Sequence, residues 1–259
     1  MGEETAAELV HLGIEGPVAT ITLDAPEKRN ALSVPVRRQL AAHLNTALGE
    51  ETVRVVVLTH TGRVFCSGLD LSEPAGPDGG PSAGLRDLAA LITTIWTART
   101  PVVARLSGPA RAGGIGLLAA CDLGIAAEDA GFAFPEVRIG VIPAVIAVPV
   151  LERADRRAAG ELMLTGEVFS ATRAAEIGLI SAAVPATELD AVVGRYVDNL
   201  RQAAPEALHQ MKSLLNRDIS TDLAQAVEIS ARLFASPEGA EGIASFREKR
   251  PPRWAAGPT

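Results

Sequence analysis

Aromatic side chains are scarce in this chain. Six Phe, two Trp and one Tyr among 259 residues are too few to build the stacked surfaces on which single-stranded nucleic acids lie. The two cysteines, Cys66 and Cys121, match neither a disulfide framework nor a metal-ligand spacing, and read as small buried residues. His11, His43, His60 and His209 are scattered without an H-x-x-x-H pair, which argues against a metal site. No Lys/Arg-rich run occurs and the net charge is −7, which disfavours a nucleic-acid partner. No window approaches the ~18 consecutive apolar residues of a membrane span. The acidic start, Met1-Gly2-Glu3-Glu4, lacks the basic and apolar regions of a secretory leader, so the expected compartment is the cytoplasm.

What is present suits a globular protein, 47% hydrophobic and 21% charged. Val18–Leu23 alternates like a half-buried strand and ends at Asp24-Ala25-Pro26, a turn signal. Ser33 is a candidate N-cap for a helix with Leu40, Leu44 and Leu48 on one face. Val53–Leu58 and Val102–Leu106 are apolar runs expected of covered strands. The Gly/Pro-dense stretch 72–84 reads as loop. Beyond Pro149 the pattern turns mostly helical, with helices expected over 156–164, 172–177, 190–202, 205–217 and 222–234. Repeated strand–strand–helix units followed by a helical tail predict an α/β core.

Two glycine-bearing turns each follow an apolar strand: Phe65-Cys66-Ser67-Gly68-Leu69-Asp70-Leu71 and Ala112-Gly113-Gly114-Ile115-Gly116. The second opens an alanine-rich segment running to Asp122, and a helix start offers unpaired N–H donors at the positive end of its dipole. If adjacent in space, the turns can present one N–H each to a single oxygen. Tight strand-to-helix turns without a ligand would look the same, and no G-x-G-x-x-G fingerprint occurs.

With these motifs stand Pro26-Glu27-Lys28-Arg29-Asn30-Ala31-Leu32, Phe134-Pro135-Glu136 through Pro143, Leu164-Thr165-Gly166 and Ala174 through Ile180. In this order and spacing, across roughly residues 8–254, the chain resembles the crotonase superfamily, the enoyl-CoA hydratase/isomerase family. The resemblance implies the crotonase (ClpP/crotonase-like) α/β fold, a repeated ββα superhelix with a C-terminal helical region. Residues 1–195 would form the core with the CoA and active sites, and 196–259 a helical trimerisation region. A homotrimer or dimer of trimers is expected, with no nucleic-acid or membrane partner. No cofactor is implied beyond the coenzyme A that enters with the acyl-CoA substrate.

By motif position, the backbone N–H groups of Leu69 and Gly113 would polarise the thioester carbonyl. Lys28 and Arg29 would meet the CoA phosphates, an assignment that competes with a plain solvated turn, and Ala31 would lie beside pantetheine and adenine. Ser67, Gly68, Asp70, Leu71, Gly114 and Pro135 would belong to the CoA site and pocket. Phe246 and Lys249 fall where relatives place an aromatic and a basic residue. The acyl pocket is expected from the loop 72–84, Leu88, Leu91, Ile92 and Ile95, and Ile142 to Val148.

The chain departs from the two-glutamate hydratase pattern at one position. Glu136 is present in the Pro-Glu motif, but Gly116 stands where the other glutamate is expected. Asp122 reads as structural, and Glu128 and Asp129 lie beyond reach of a substrate. Hydration of a 2-enoyl-CoA by Glu136, with water held by backbone groups near Gly116, leads the expectations, and Gly116→Glu should then raise the rate. Double-bond isomerisation by Glu136 alone follows closely, and a non-catalytic acyl-CoA-binding protein is the third reading.

Overall fold

The computed structural model describes residues 7–73 and 80–255. Its main sheet has six strands: β1 (Val10–Glu15), β2 (Val18–Leu23), β3 (Val55–His60), β4 (Val102–Leu106), β6 (Leu123–Ala127) and β9 (Ala182–Val184), in that spatial order. Only the β1–β2 hairpin is antiparallel; the other pairs are parallel. Parallel strands need covered faces, and Val55, Val56, Leu58, Val102, Val103 and Leu106 are buried accordingly. A second sheet of β5 (Ala110–Arg111), β7 (Gly131–Ala133) and β8 (Phe169–Ser170) lies beside it.

Helix α1 (Val34–Gly49) buries Leu40 and Leu44 as expected. Ser33 holds the cap position but makes no capping bond; the Glu73 carboxylate accepts the Val34 N–H instead. Helix α2 (Gly80–Thr97) begins inside the expected loop: residues 80–84 are its first turn, where Pro81 lacks a donor the turn does not use. The rest of that stretch, 74–79, lies outside the described residues. The short, wholly buried α3 (Gly113–Ala120) follows β5. Helix α4 (Ala144–Arg153) runs through Pro149, which the sequence places before the helical region. Proline forfeits one bond there, but Val145, Ile146, Pro149 and Val150 are all buried, and that burial carries the helix through.

The tail agrees closely with the pattern: α5 (Arg156–Thr165), α6 (Ala171–Glu176), α7 (Leu189–Gln202), α8 (Pro205–Leu215), α9 (Ser220–Phe234) and, unforeseen, α10 (Pro237–Glu248). Asp122 is structural, accepting from the Val102 N–H at 2.8 Å and from Lys212 Nζ at 2.7 Å. Cys66 and Cys121 are free and buried, and burial pushes both thiols up to about 12. Helix α9 packs against α2 and α4, and α10 lies on the 3-10 turn Glu136–Ile139. The last contact is backbone on backbone: a Cβ on Gly242 would fall 2.0 Å from the Ile139 carbonyl oxygen.

Candidate active site

The two glycine turns meet. Phe65 N–H donates to Pro109 O at 2.9 Å, and Arg111 N–H to Cys66 O at 2.9 Å, so the segments run side by side. On the other flank, Ser67 N–H donates to Arg29 O (3.1 Å) and Leu32 N–H to Gly68 O (2.8 Å). Gly68 has φ +93°, and a Cβ there would sit 2.7 Å from that of Ala112 and 3.3 Å from Gly113 N. Only glycine permits that backbone and that proximity together. Ala112 itself is at φ 49°, ψ −124°, a conformation that costs about 1–3 kcal/mol and persists where the surroundings over-determine it. The N–H groups of Leu69 and Gly113 find no acceptor among the described residues. Both residues line a cavity of about 570 Å³.

Asn30 fixes the turn carrying Lys28, Arg29 and Ala31. Fully buried, it accepts the Ala25 N–H at 2.7 Å and donates to Thr61 O at 3.0 Å and Val64 O at 2.7 Å. Lys28, Arg29 and Ala31 all line the cavity, as do Ser67, Asp70, Leu71 and Pro135. Lys28 Nζ lies 3.2 Å from Asp70 Oδ2. Burial works to raise the Asp70 carboxyl, but bonds from the Ser72 hydroxyl and N–H and from Lys28 leave it below the usual range.

Glu136 opens the 3-10 turn and also lines the cavity. Its side chain is buried, Oε2 has no hydrogen-bond partner among the described residues, and desolvation pushes its pKa up to about 8. A carboxyl of this kind is protonated at neutrality and can both take and give a proton near it. The other cavity carboxylates differ: Asp70 is paired, and Glu27 is exposed on the turn before Lys28.

Four residues expected at the site are not on the cavity wall. Gly68 and Gly114 are outside the cavity wall, and Gly114 packs against Cys66. Lys249 caps α10 in the left-handed region, exposed and away from the wall, although Phe246 lines it. Gly116 is also off the wall; its N–H donates to Ala112 O at 3.3 Å, so it is not free to hold water. A Cβ on Gly116 would fall 2.6 Å from Ile146 Cγ2 and 3.3 Å from Ile92 Cδ1. Ile146 lines the cavity, so an isoleucine methyl already crowds the place of the first side-chain carbon at position 116. Glu128 and Asp129 are absent from the wall, as expected.

Leu88, Ile142, Pro143, Val145 and Ile146 form an apolar wall, joined by Leu85; Leu91, Ile92 and Ile95 are core residues behind it. Sequence reasoning missed Arg138, Arg247, Ser230 and Phe234, which also line the cavity. Arg247 follows Phe246 directly and donates to Leu71 O, so its neighbour in sequence was a usable signal. For Ser230 and Phe234 no local signal existed, because only the packing of α9 on α2 and α4 brings them there.

An enoyl-CoA hydratase from Mycobacterium avium has a solved structure to which this chain is 39% identical. Its TM-score is 0.86, over 96% of this chain and 100% of that one. Another, from Mycobacterium smegmatis, is 32% identical with TM-score 0.76, over 96% and 99% of the two chains. Enoyl-CoA hydratase domain-containing protein 3 of Xenopus laevis, named as mitochondrial, is 30% identical over 246 residues, 93% of this chain and 84% of that protein. The fold expected from the motifs, the α/β crotonase fold, is therefore the one observed. The model of the enoyl-CoA hydratase/isomerase family matches residues 13–257, and the chain belongs to that family of enzymes.

Proposed function

We propose that the cavity binds an acyl-CoA thioester with its carbonyl oxygen between the N–H groups of Leu69 and Gly113, and that Glu136 is the sole acid–base group. Charge building on that oxygen toward an enolate strengthens both bonds, and each such donor typically lowers the barrier by ~3–4 kcal/mol. Lys28, Arg29 and Arg247 at the cavity rim suit the CoA phosphates, and Ala31, Leu71 and Phe246 suit its apolar parts. Lys249, exposed and outside this cavity's wall, suits the CoA of a neighbouring subunit. The coenzyme enters with the substrate and no further cofactor is invoked.

The observation that carries the reading is Glu136, buried and unpaired, with Ile146 filling the space beside Gly116. Moving a proton between two carbons needs one carboxylate and no water. Ionised Glu136 removes a C2 proton from a 3-enoyl-CoA, the enolate charge rests in the oxyanion hole, and the same carboxyl returns the proton to C4. The geometry thus favours double-bond isomerisation over the hydration that leads on sequence. Hydration is the second reading, supported by the names of the relatives.

Incubation with 3-enoyl- and 2-enoyl-CoAs of short and medium chain length tests this. Appearance of conjugated-thioester absorbance from the 3-enoyl ester, without a 3-hydroxyacyl product, is expected. A 3-hydroxyacyl-CoA as the main product from the 2-enoyl ester would move the assignment to hydration. Conversion of neither would overturn both.

A further inference from the structure

Ser230 is fully buried, lines the cavity, and has a hydroxyl with no hydrogen-bond partner among the described residues. It lies on α9 four residues before Phe234, which lines the same cavity, so the two share a helix face. A helical serine can satisfy itself on the carbonyl four residues back; Ser230 does not. The two helices on which α9 packs, α2 and α4, give the same cavity an apolar wall through Leu85, Leu88, Val145 and Ile146. A buried hydroxyl left unpaired in such surroundings is unfavourable until something bonds it.

Resting on the acyl-CoA reading above, we infer that Ser230 is a specificity-determining residue that hydrogen-bonds a neutral oxygen substituent, hydroxyl or carbonyl, on the acyl chain. The preferred substrates are then oxygenated acyl-CoAs rather than plain hydrocarbon ones. A carboxylate on the chain is disfavoured, because the cavity's cations, Lys28, Arg29, Arg138 and Arg247, are all exposed and leave a buried anion without counter-charge.

The test is calorimetric binding of saturated medium-chain acyl-CoAs, which cannot turn over, each with one hydroxyl or keto group moved along the chain from C4 outward. At one position the oxygenated ester should bind about ten-fold tighter than its hydrocarbon parent. Ser230→Ala, and the nearly isosteric Ser230→Cys, should bring that ratio close to one. An unchanged ratio in both variants, or no preference at any position in the unaltered protein, overturns the inference while leaving acyl-CoA binding intact. Failure of every ester to bind overturns the underlying reading, and the inference with it.

Discussion

Glu136 is an acid held neutral by its surroundings, and two consequences of opposite sign follow from it. As a base it must be ionised, and with a pKa of about 8 only about a tenth is so at pH 7. On the proposed isomerase reading, kcat/KM should therefore rise about ten-fold per pH unit below 8 and level off above it, and Glu136→Gln should remove at least about 10²–10⁴-fold of it. Stability runs the other way. Below about 4.5, where an ordinary glutamate titrates, folded and unfolded chains both carry the proton. Between 4.5 and about 8 only the unfolded chain loses it, so the folded state weakens by about 1.4 kcal/mol per pH unit. Glu136→Gln should accordingly unfold at a higher temperature than the unaltered protein, by a margin absent at pH 4 and largest above pH 8; melting curves across pH check it. Gly116 answers differently from what its position in the motif suggests. Gly116→Glu must displace Ile146, so it should cost about 1–3 kcal/mol in stability and add no hydration. Paired with Ile146→Ala, it should produce measurable 3-hydroxyacyl-CoA. Glu136 was legible in the sequence because a Pro-Glu dipeptide carries it; the meaning of Gly116 was not, because its partner lies thirty positions away on another helix.

Among the elements, a single guanidinium ties the segment after Leu69 to two helices. Arg37 of α1 is buried, donating to Leu32 O, to Glu73 Oε2 at 3.1 Å and to Asp87 Oδ2 of α2 at 2.9 Å. Glu73 in turn caps α1, and Gly84 of α2 lies against Leu69, where a Cβ would be 3.2 Å from Leu69 Cδ2. Arg37→Leu removes the ion-pair partner of the largely buried Glu73 carboxylate, which should cost about 3–5 kcal/mol. By loosening the segment after Leu69 it should also lower kcat more than it raises KM, which thermal melts and steady-state kinetics can separate. The elements themselves were mostly readable: β2, β4, α1 and α5 to α9 announce themselves by period, caps and glycine stops. What eluded the pattern was decided at a distance. Glycine and proline at 80–84 spell loop until the rest of α2 packs, and the cap of α1 comes from Glu73 rather than from Ser33 next door.

Over the whole molecule, the exposed side chains of α8 are unusual. Met211 is 50% exposed, Leu214 82% and Leu215 66%, grouped on one short helix, and such a patch suits contact with another subunit. We propose the homotrimer or dimer of trimers on this ground. Leu214→Glu with Leu215→Glu should shift the sedimentation coefficient toward the monomer without changing the circular-dichroism spectrum. The contact of Gly242 with the Ile139 carbonyl, helix α10 laid bare-backed on the turn that begins at Glu136, carries a further consequence in time. Residue 139 can meet residue 242 only once every residue between them has been made. The central strands can pair before then, but the turn that begins at Glu136 gains the helix packed on it only once α10 has been made. Until α10 is made, then, the nascent protein is a paired sheet whose Glu136 turn stands without the helix that packs on it.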